Sequence, residues 1–444
     1  MRSTARALQP KYATLDPNDR VVLYDGPLVV SEPGKPKKKH TLNGTVYLRW
    51  MPSPAIEFDA TCSEGELGFF DGGVVALSKL RWQAPFLTTM MSTDLEASEL
   101  RGRMRGCVTR AFEGFYPRTR TREVTDILFH VANVEWLHGA PVVENSTIRS
   151  DRIQFEVGEW RVALDAVRDC KQQLDKLAVR GGYALTYVGV VERIDRAPFA
   201  PGTAKLVLDT VYWFLSFLWG HWTGPTLLVG RRKGNPMWER WSLPVIDSWK
   251  PRQPWAPRGH PNALGQLFNG LFRKLSDPLW ERTIRVAIHW YVAALSQAGA
   301  VEGAIMMSQA AFELLWWTKF VAVASVVHEP DKLIAADKLR LLLDRYHIPM
   351  TIPPELTELA KEARSKNWDD GPQALTQVRN ETVHPTKGRK ARPPLHGPPV
   401  WEAWRLSVWY LEMCLLAILE YNGPYCPRIP AGGNANATKM VPWA

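Results

Sequence analysis

The sequence predicts an α+β protein, with a mostly β N-terminal half followed by an all-α helical bundle. Short stretches rich in β-branched and aromatic residues, bounded by Gly, Pro and Asn, recur up to about residue 200. Long segments with a helical spacing of apolar residues dominate from Asp277 onward. The 444 residues exceed the size of an ordinary single core, so we expect more than one domain.

Changes of pattern along the chain define four segments. We predict a β-rich region, of one or two lobes, at residues 1–200 and a helix plus a connector rich in Trp, Pro and Gly at residues 201–270. A helical domain follows at residues 271–425, and a C-terminal tail at residues 426–444. Because the front half shows no catalytic constellation, we interpret it as a sensor or regulatory region.

Strands are predicted where β-forming residues lie between turn residues, at residues 21–24, 45–50, 55–59 and 183–193. Ile153, Phe155 and Val157 alternate with polar residues, which predicts a strand with one buried face. The segment "GEWRVALDAVRDCKQQLDKLAV" is interpreted as a helix from about Trp160 to Val179.

Helices of the C-terminal part begin at recognisable capping residues and carry apolar stripes. Asp277 followed by Pro278 predicts the first helix start, and Asp370 predicts another. Further helices are predicted at residues 302–326, 332–345, 354–364 and 401–421. The most apolar stretches, residues 206–220 and 304–327, contain charged residues and are expected to form buried helices and not membrane spans.

Charge and cysteine content restrict the class of protein. The net charge is +10 at pH 7, which favours anionic partners and nucleic acid above all. The five cysteines form no C-x-x-C pair, which argues against a zinc site and a disulfide framework and suits a reducing cytoplasm. No signal peptide, cofactor fingerprint or clustered metal-ligand set is recognisable in the sequence.

The segment "QALTQVRNETVHPTKGRKARPP" places Arg379 and His384 at a predicted helix end. With 55 basic residues and 10 histidines in the chain, about one such spacing is expected by chance. In an unbroken helix, two residues five positions apart point about 140° away from each other. Pro385 disfavours helical geometry at His384, so we expect the helix to end at about Val383 and His384 to fold back toward Arg379.

Other polar residues form the expected surroundings of this pair. Asn380 offers an amide at the same helix end, and four basic residues suited to flanking phosphates follow the histidine: Lys387, Arg389, Lys390 and Arg392. Glu313 lies on a helix that is apolar nearly all round, where an unpaired carboxylate would be costly. Two roles stay open for Glu313, orientation of Arg379 and pairing with another base such as Lys319.

A looser group of polar residues occurs on the predicted helix after Asp277. Arg282, Arg285 and His289 are spaced by i, i+3 and i+7, which places them on one helix face. The default interpretation is a polar stripe opposite an apolar face.

"VRNETVHP" resembles the R-x4-6-H signature of the HEPN superfamily, a group of all-helical nucleotide- and RNA-binding domains in which a polar residue, often Asn, follows the arginine. The helical frame is also similar, through "EGAIMMSQAAFELLWW", "KLRLLLDRYHIP" and "IPPELTELAKEA". The resemblance covers about residues 277–421. A β-rich front half followed by such a domain looks, more loosely, like anti-phage HEPN proteins of the ApeA type.

The resemblance implies a metal-independent, cofactor-independent endoribonuclease that acts in the cytoplasm as a homodimer through its helical domain. Arg379 and His384 would be catalytic, supported by Asn380 and Glu313. RNA, with tRNA as one candidate, would be the substrate, abortive infection the setting, and a phage-derived trigger would act on the N-terminal region. The alternative is a non-catalytic HEPN-like sensor or scaffold that binds RNA or nucleotide without cutting it.

Overall fold

The computed structural model describes residues 5–62, 70–96, 99–251, 253–296, 301–383, 396–429 and 438–444. The fold is mixed α/β, with a β-rich N-terminal half and helices mostly in the C-terminal half, as the sequence predicts. The chain divides into two compact units. The first unit comprises residues 1–208 and 223–251, and the second comprises residues 209–222 and 252–444.

Strands account for most of the first unit. They are β1 Ala5–Arg6, β2 Val21–Glu32, β3 Lys35–Arg49, β4 Ala55–Cys62, β5 Gly72–Leu77, β6 Trp82–Glu96, β7 Glu99–Val108, β8 Phe112–Phe115, β9 Asp126–Ala132, β10 Ala140–Glu144, β11 Thr147–Val157, β12 Trp160–Ala166, β13 Leu185–Arg193, β14 Thr226–Arg232 and β15 Asn235–Trp241. Helix α1 is Cys170–Arg180, and a 3-10 turn at Pro201–Ala204 leads into α2, Lys205–Trp219.

Six of the described strands close into an antiparallel barrel in the order β2-β3-β4-β7-β6-β5. Along β4, buried side chains alternate with side chains that face outward, the period expected of a strand with one apolar face. Inside the barrel, the rings of Phe58 and Phe86 meet edge to face at 5.0 Å. A Cβ on Gly106 would lie 2.5 Å from the Phe58 ring, so glycine at this position lets the ring pack against β7.

The remaining strands of the first unit form a large sheet, whose order among the described residues is β1-β10-β11-β12-β13-β9-β14-β15-β8. The central strands β9 and β13 are buried on both faces, which explains their nearly continuous apolar sequences. On β11, Ile153, Phe155 and Val157 are buried and the residues between them are exposed. The predicted alternation is therefore confirmed.

The helix predicted at residues 160–179 is wrong in its first half. Residues 160–166 form strand β12, which pairs in antiparallel register with β11 and β13. Only residues 170–180 are helical, as α1. Strand pairing satisfies the backbone of β12 on both sides, and this tertiary pairing overrides a sequence that is also compatible with a helix.

The connector predicted at residues 201–270 also needs correction. Strands β14 and β15 lie within it and occupy the large sheet between β9 and β8. Lys233 and Gly234, between the two strands, both have positive φ angles, 51° and 79°. Two residues of this conformation form the tight turn that suits a hairpin. The sequence signal was weak because Lys, not Asn or Asp, precedes the glycine.

The second unit is mostly helical. Its further elements are α3 Pro261–Ser276, α4 Glu281–Ser296, α5 Val301–Trp316, a π-helix at Trp317–Val323, a 3-10 turn at Pro330–Lys332, α6 Ala335–Arg345, α7 Thr357–Lys366, α8 Gly371–Val383, α9 Pro398–Ile418, and strands β16 Pro424–Tyr425 and β17 Lys439–Met440. Helix α5 packs against α4, α6, α8 and α9, which confirms its predicted central position. Among the described residues, none of the helices has the length and apolar character needed to cross a membrane.

Candidate active site on helix α8

Helix α8, which carries Arg379, begins at a reciprocal cap. The Asp370 carboxylate accepts the backbone N–H of Gln373 at 2.9 Å, and the Gln373 amide oxygen accepts the backbone N–H of Asp369 at 2.8 Å. Arg340 holds the same Asp370 carboxylate through Nε and Nη2, at 2.7 and 3.1 Å. These bonds satisfy orphan donors of the first turn and fix where the helix starts.

The two faces of α8 differ in burial. Ala374, Leu375 and Val378 are fully buried, whereas Arg379 and Asn380 are half-buried. Arg379 donates from Nη1 to the side-chain oxygen of Asn380 at 3.1 Å. The structure therefore brings the predicted arginine and its neighbouring amide together on the helix surface, where a guanidinium can meet a ligand.

The last turn of α8 is tied to α7. Lys366 donates to both carboxylate oxygens of Glu381, at 2.7 and 2.8 Å, and contacts Glu362 at 2.9 Å. Burial alone would lower the pKa of Lys366, but its bonds to the two glutamates outweigh burial and raise that pKa. The described part of the helix reaches Val383, the residue at which the sequence predicts its end.

The second half of the predicted site lies outside the described residues. This applies to the candidate catalytic residue His384 and to the predicted RNA-binding residues Lys387, Arg389, Lys390 and Arg392. The approach of His384 to Arg379 therefore stays a prediction.

Glu313 does not occupy the environment that the sequence suggested. Its side chain is exposed, because α5 buries the face that contains Ser308, Phe312 and Leu315 and leaves the Glu313 side to solvent. The burial cost inferred for its carboxylate is therefore wrong. Among the described contacts, no hydrogen bond or ion pair joins Glu313 to Arg379 or Lys319.

A cleft of about 590 Å³ lies at the beginning of α9. Its walls include two indoles, Trp401 and Trp404, and two carboxylates, Glu302 and Glu402. Glu402 accepts the backbone N–H of Leu359 at 2.7 Å and thereby caps α7. One of the two carboxylates is thus engaged in holding the helices together.

Comparison with known proteins identifies the family. A model of the YopA central domain matches residues 119–252, and a model of the YopA C-terminal domain matches residues 277–438. The SPbeta prophage-derived uncharacterized protein YopA of Bacillus subtilis (strain 168) is 30% identical over 326 residues, which are 72% of each chain. The chain belongs to the YopA family. No solved structure matches this YopA-family protein.

The region that matches the YopA C-terminal domain also contains a buried polar cluster, which the sequence reasoning missed. Glu412 of α9 and Tyr291 of α4 are both fully buried, and the Tyr291 hydroxyl donates to Glu412 Oε1 at 2.6 Å. Arg428 donates from Nε to the same oxygen at 2.5 Å and from Nη2 to the Tyr291 hydroxyl at 3.0 Å. Burial raises the pKa of Glu412, an effect that the nearby Arg428 charge opposes.

Within the YopA central-domain match, His130 is a structural residue. Its Nε2 accepts the backbone N–H groups of Lys11 and Tyr12, both at 3.1 Å, and its Nδ1 lies 3.1 Å from the carbonyl oxygen of Leu227. Burial lowers the pKa of His130 to about 4. The ring is therefore neutral at pH 7, with the proton assigned to Nδ1, and it holds the N-terminal segment on the large sheet.

The same segment is held by the buried carboxylate of Glu239 on β15. Tyr12 and Trp241 donate to Glu239 Oε2 at 2.5 and 2.8 Å, and Lys11 and Tyr116 contact Oε1. Burial raises the pKa of Tyr12, which keeps its hydroxyl available as a donor. A carboxylate surrounded by four donors is well satisfied, so this cluster stabilises the fold of the first unit.

Another buried carboxylate, Asp151 on β11, is poorly satisfied. It is 2% exposed, its Oδ1 has no hydrogen-bond partner among the described residues, and Arg149 Nε lies 3.5 Å from Oδ2. Burial raises the pKa of Asp151 to about 6, with Asp165 and Glu144 adding to the rise and Arg149 and Arg152 opposing it.

We expect Asp151 to make the stability of the first unit pH-dependent. A carboxyl whose pKa is raised in the folded state contributes its full stabilisation when the pH is below its pKa in the unfolded state. This contribution is lost as the pH rises through the pKa of the folded state. Between pH 4 and 7, the wild type should therefore lose about 2 kcal/mol relative to Asp151→Asn, which cannot ionise. Denaturant unfolding of both proteins at the two pH values measures the difference.

Asp195→Asn is the matched control for the Asp151 experiment. Arg193 lowers the pKa of Asp195 to about 2, so any effect of that substitution should have the opposite sign and appear only in acid. A wild type and an Asp151→Asn variant with parallel pH profiles would show that Asp151 is not the titrating group.

Proposed function

We propose that this protein is a metal-independent endoribonuclease of the HEPN type, with Arg379 and His384 as its catalytic residues. The observation that carries the proposal is the position of Arg379. It lies half-buried on the surface of a firmly capped helix within a helical unit, in contact with Asn380 and five residues before His384. This is the position that the sequence "VRNETVHP" implies through its resemblance to the family.

The proposed chemistry uses groups that RNA and these two side chains supply. The 2′-hydroxyl of RNA attacks the adjacent phosphorus, and the bond to the 5′-oxygen of the next nucleotide breaks. Histidine, with an ordinary pKa near 6.5, can accept the hydroxyl proton or donate one to the leaving oxygen. Arginine stays charged and binds phosphate oxygens through two parallel hydrogen bonds.

One Arg-His pair supplies only half of the acid, base and charge that this cleavage needs. Two pairs across a symmetric interface would supply a complete set, so we propose that the protein acts as a homodimer through its helical unit. The proposed RNA-binding residues Lys387, Arg389, Lys390 and Arg392 would hold phosphates next to the scissile one.

The biological setting that we propose is defence of a bacterial cell against phage. The support is that the Bacillus subtilis relative is described as prophage-derived. In this proposal the helical unit cuts cellular RNA in the cytoplasm, with tRNA as one candidate. The first unit, whose polar clusters have structural roles, detects a phage-derived trigger.

RNA cleavage by the purified protein should persist in EDTA and leave 5′-hydroxyl ends together with 2′,3′-cyclic or 3′-phosphates. The reason is that the proposed nucleophile belongs to the RNA and the proposed catalytic groups are side chains. A single 2′-deoxy substitution at the cut site should block cleavage there. End-labelling and sequencing of the products measure both effects, and cleavage of the deoxy substrate at the normal rate would exclude the mechanism.

The second candidate function is binding of RNA or nucleotide without cleavage. It is favoured by the observation that the Arg379 guanidinium is already bonded to Asn380. If helical geometry extended through His384, the two side chains would point about 140° apart and could not act on one phosphate. Tight binding of RNA that remains intact after long incubation, with and without phage components, would support this candidate.

A further inference from the structure

Three aromatic rings of the second unit form a cluster on α2 and the residues that follow it. Tyr212 and Trp222 are stacked, with ring centroids 5.8 Å apart and planes inclined by 9°. Trp213 meets Trp222 edge to face at 5.7 Å, and the His289 ring of α4 lies 5.5 Å from Trp222. We call these four residues, together with Arg282 and Arg285, the α2–α4 aromatic patch.

The burial of these rings differs from that of the core aromatics. Tyr212, Trp213 and Trp222 are half-buried, and His289 is exposed. By contrast, Trp255 and Trp316 of the same unit are at most 1% exposed. Aromatic side chains that serve only as core packing are normally enclosed, so a contiguous set that remains partly open suggests a contact surface.

Positive charge borders the aromatic rings. The Arg285 guanidinium lies 5.6 Å from the centre of the Trp213 ring, and the exposed Arg282 is on the same face of α4. Arg285 is 3.5 Å from Asp209 and 3.2 Å from Glu281, so two carboxylates hold its position. The polar stripe predicted on this helix is therefore present, and it lies beside aromatic rings.

Aromatic rings beside cationic side chains match the chemistry of unpaired nucleic acid. Bases stack on partly open rings whatever their sequence, and arginine and histidine contact the phosphates between them. Arg285 is balanced by the two carboxylates that hold it, Arg282 is exposed and makes no ion pair among the described contacts, and the chain as a whole carries +10. A protein partner would not need the cationic border, and a duplex would keep its bases away from the rings.

We propose that the α2–α4 aromatic patch binds unpaired segments of RNA by stacking bases on Trp213 and Trp222. The proposal rests on the proposed function, since it identifies the substrate of the ribonuclease as RNA with single-stranded segments. Arg282 and His289 contact the backbone of the bound strand, and Arg285 orients the Trp213 ring.

The test is binding of a fluorescent 12-nucleotide oligouridylate to the full chain, in an Arg379→Ala background that prevents cleavage. Trp213→Ala should weaken binding about 5- to 150-fold, the measured range for loss of one stacked base. Trp213→Phe retains a ring and should lose less. Trp317→Ala removes an indole that is 49% exposed on the π-helix, so it serves as a matched control and should bind as the parent does.

A second variant does not disturb ring packing. Arg282→Gln combined with His289→Gln changes exposed side chains, and loss of the Arg282 contact with phosphate should flatten the salt dependence of binding by about one unit of slope. A self-complementary duplex of equal length should bind more weakly than the oligouridylate. Circular dichroism of each variant confirms that the fold is retained.

Three outcomes would overturn the proposal: unchanged affinity in both folded variants, a loss equal to that of Trp317→Ala, or a change in self-association without a change in RNA binding. The last would make the patch a contact between protein chains.

The outcome for the proposed ribonuclease activity is separate. If the protein binds RNA through the patch but never cuts RNA, only the proposed catalysis is rejected. If substitutions in the patch leave the rate of RNA cleavage unchanged, only the proposed patch is rejected.

Discussion

Substitution of His384 by alanine is expected to lower the rate of RNA cleavage by about 10²–10⁴-fold, the usual contribution of a general acid or base. Substitution of Arg379 by alanine is expected to lower it by about 10²–10³-fold, the usual effect of losing one charged group that stabilises the transition state. The folded state should persist, because Arg379 is half-buried on the surface of α8 and makes its contact with the adjacent Asn380. Initial rates on a defined RNA, with circular dichroism of each variant, measure the two expectations together.

Matched controls are available for each substitution. Arg364 on α7 and His328 before α6 are exposed residues of the same unit, and their replacement by alanine should leave the rate unchanged. Arg379→Lys should keep part of the activity, because lysine retains the charge but cannot form two parallel bonds to phosphate. Native rates in both alanine variants would reject the catalytic assignment.

Replacement of Arg428 by methionine is expected to destabilise the second unit by about 3–5 kcal/mol, since it leaves the buried Glu412 carboxylate without its cation. Glu412 is fully buried, its Oε2 already lacks a partner among the described residues, and Arg428 and Tyr291 both bond its Oε1. Denaturant unfolding followed by tryptophan fluorescence measures the change. The double variant Glu412→Leu with Arg428→Met should recover much of the loss, because no charge remains buried.

A surface ion pair of the same unit provides the comparison. Arg273 and Glu420 lie 2.6 Å apart, and their side chains are 56% and 61% exposed. Arg273→Met should cost at most about 1 kcal/mol, the usual limit for an exposed pair. Equal losses in the two methionine variants would mean that burial does not determine the strength of the Arg428 pair.

Helices of the second unit could be predicted because their signals are local. Asp370 with Gln373 three positions later forms a cap that is visible in the sequence, and Leu375 and Val378 mark the buried face of the same helix. Strands β12, β14 and β15 were missed because each also depends on pairing with a strand that is distant in the sequence, namely β13, β9 and β8 respectively. Trp160, for example, pairs with Val157 and Arg193 and could not be assigned from its neighbours alone.

The candidate site shows the same division between local and distant information. Arg379 and Asn380 are consecutive in the sequence, so their shared position at the end of α8 followed from the helix prediction. The partners Tyr291, Glu412 and Arg428 come from three separate parts of the chain, and no spacing rule connects them. Glu313 was misjudged because an apolar sequence does not indicate which face of a helix its neighbours cover.

The order of strands in the large sheet determines when the first unit can be completed during synthesis. Strand β8 is held in the sheet by β15, and β14 occupies the place between β15 and β9, yet both later strands follow the 209–222 segment of the second unit. On the ribosome, β8 and one edge of β9 must therefore wait for residue 241 to emerge before their backbone groups are paired. A fragment that ends at residue 200 would leave β8 and one edge of β9 unpaired, and this open edge would be prone to association. A fragment that ends at residue 251 contains every described strand of the sheet.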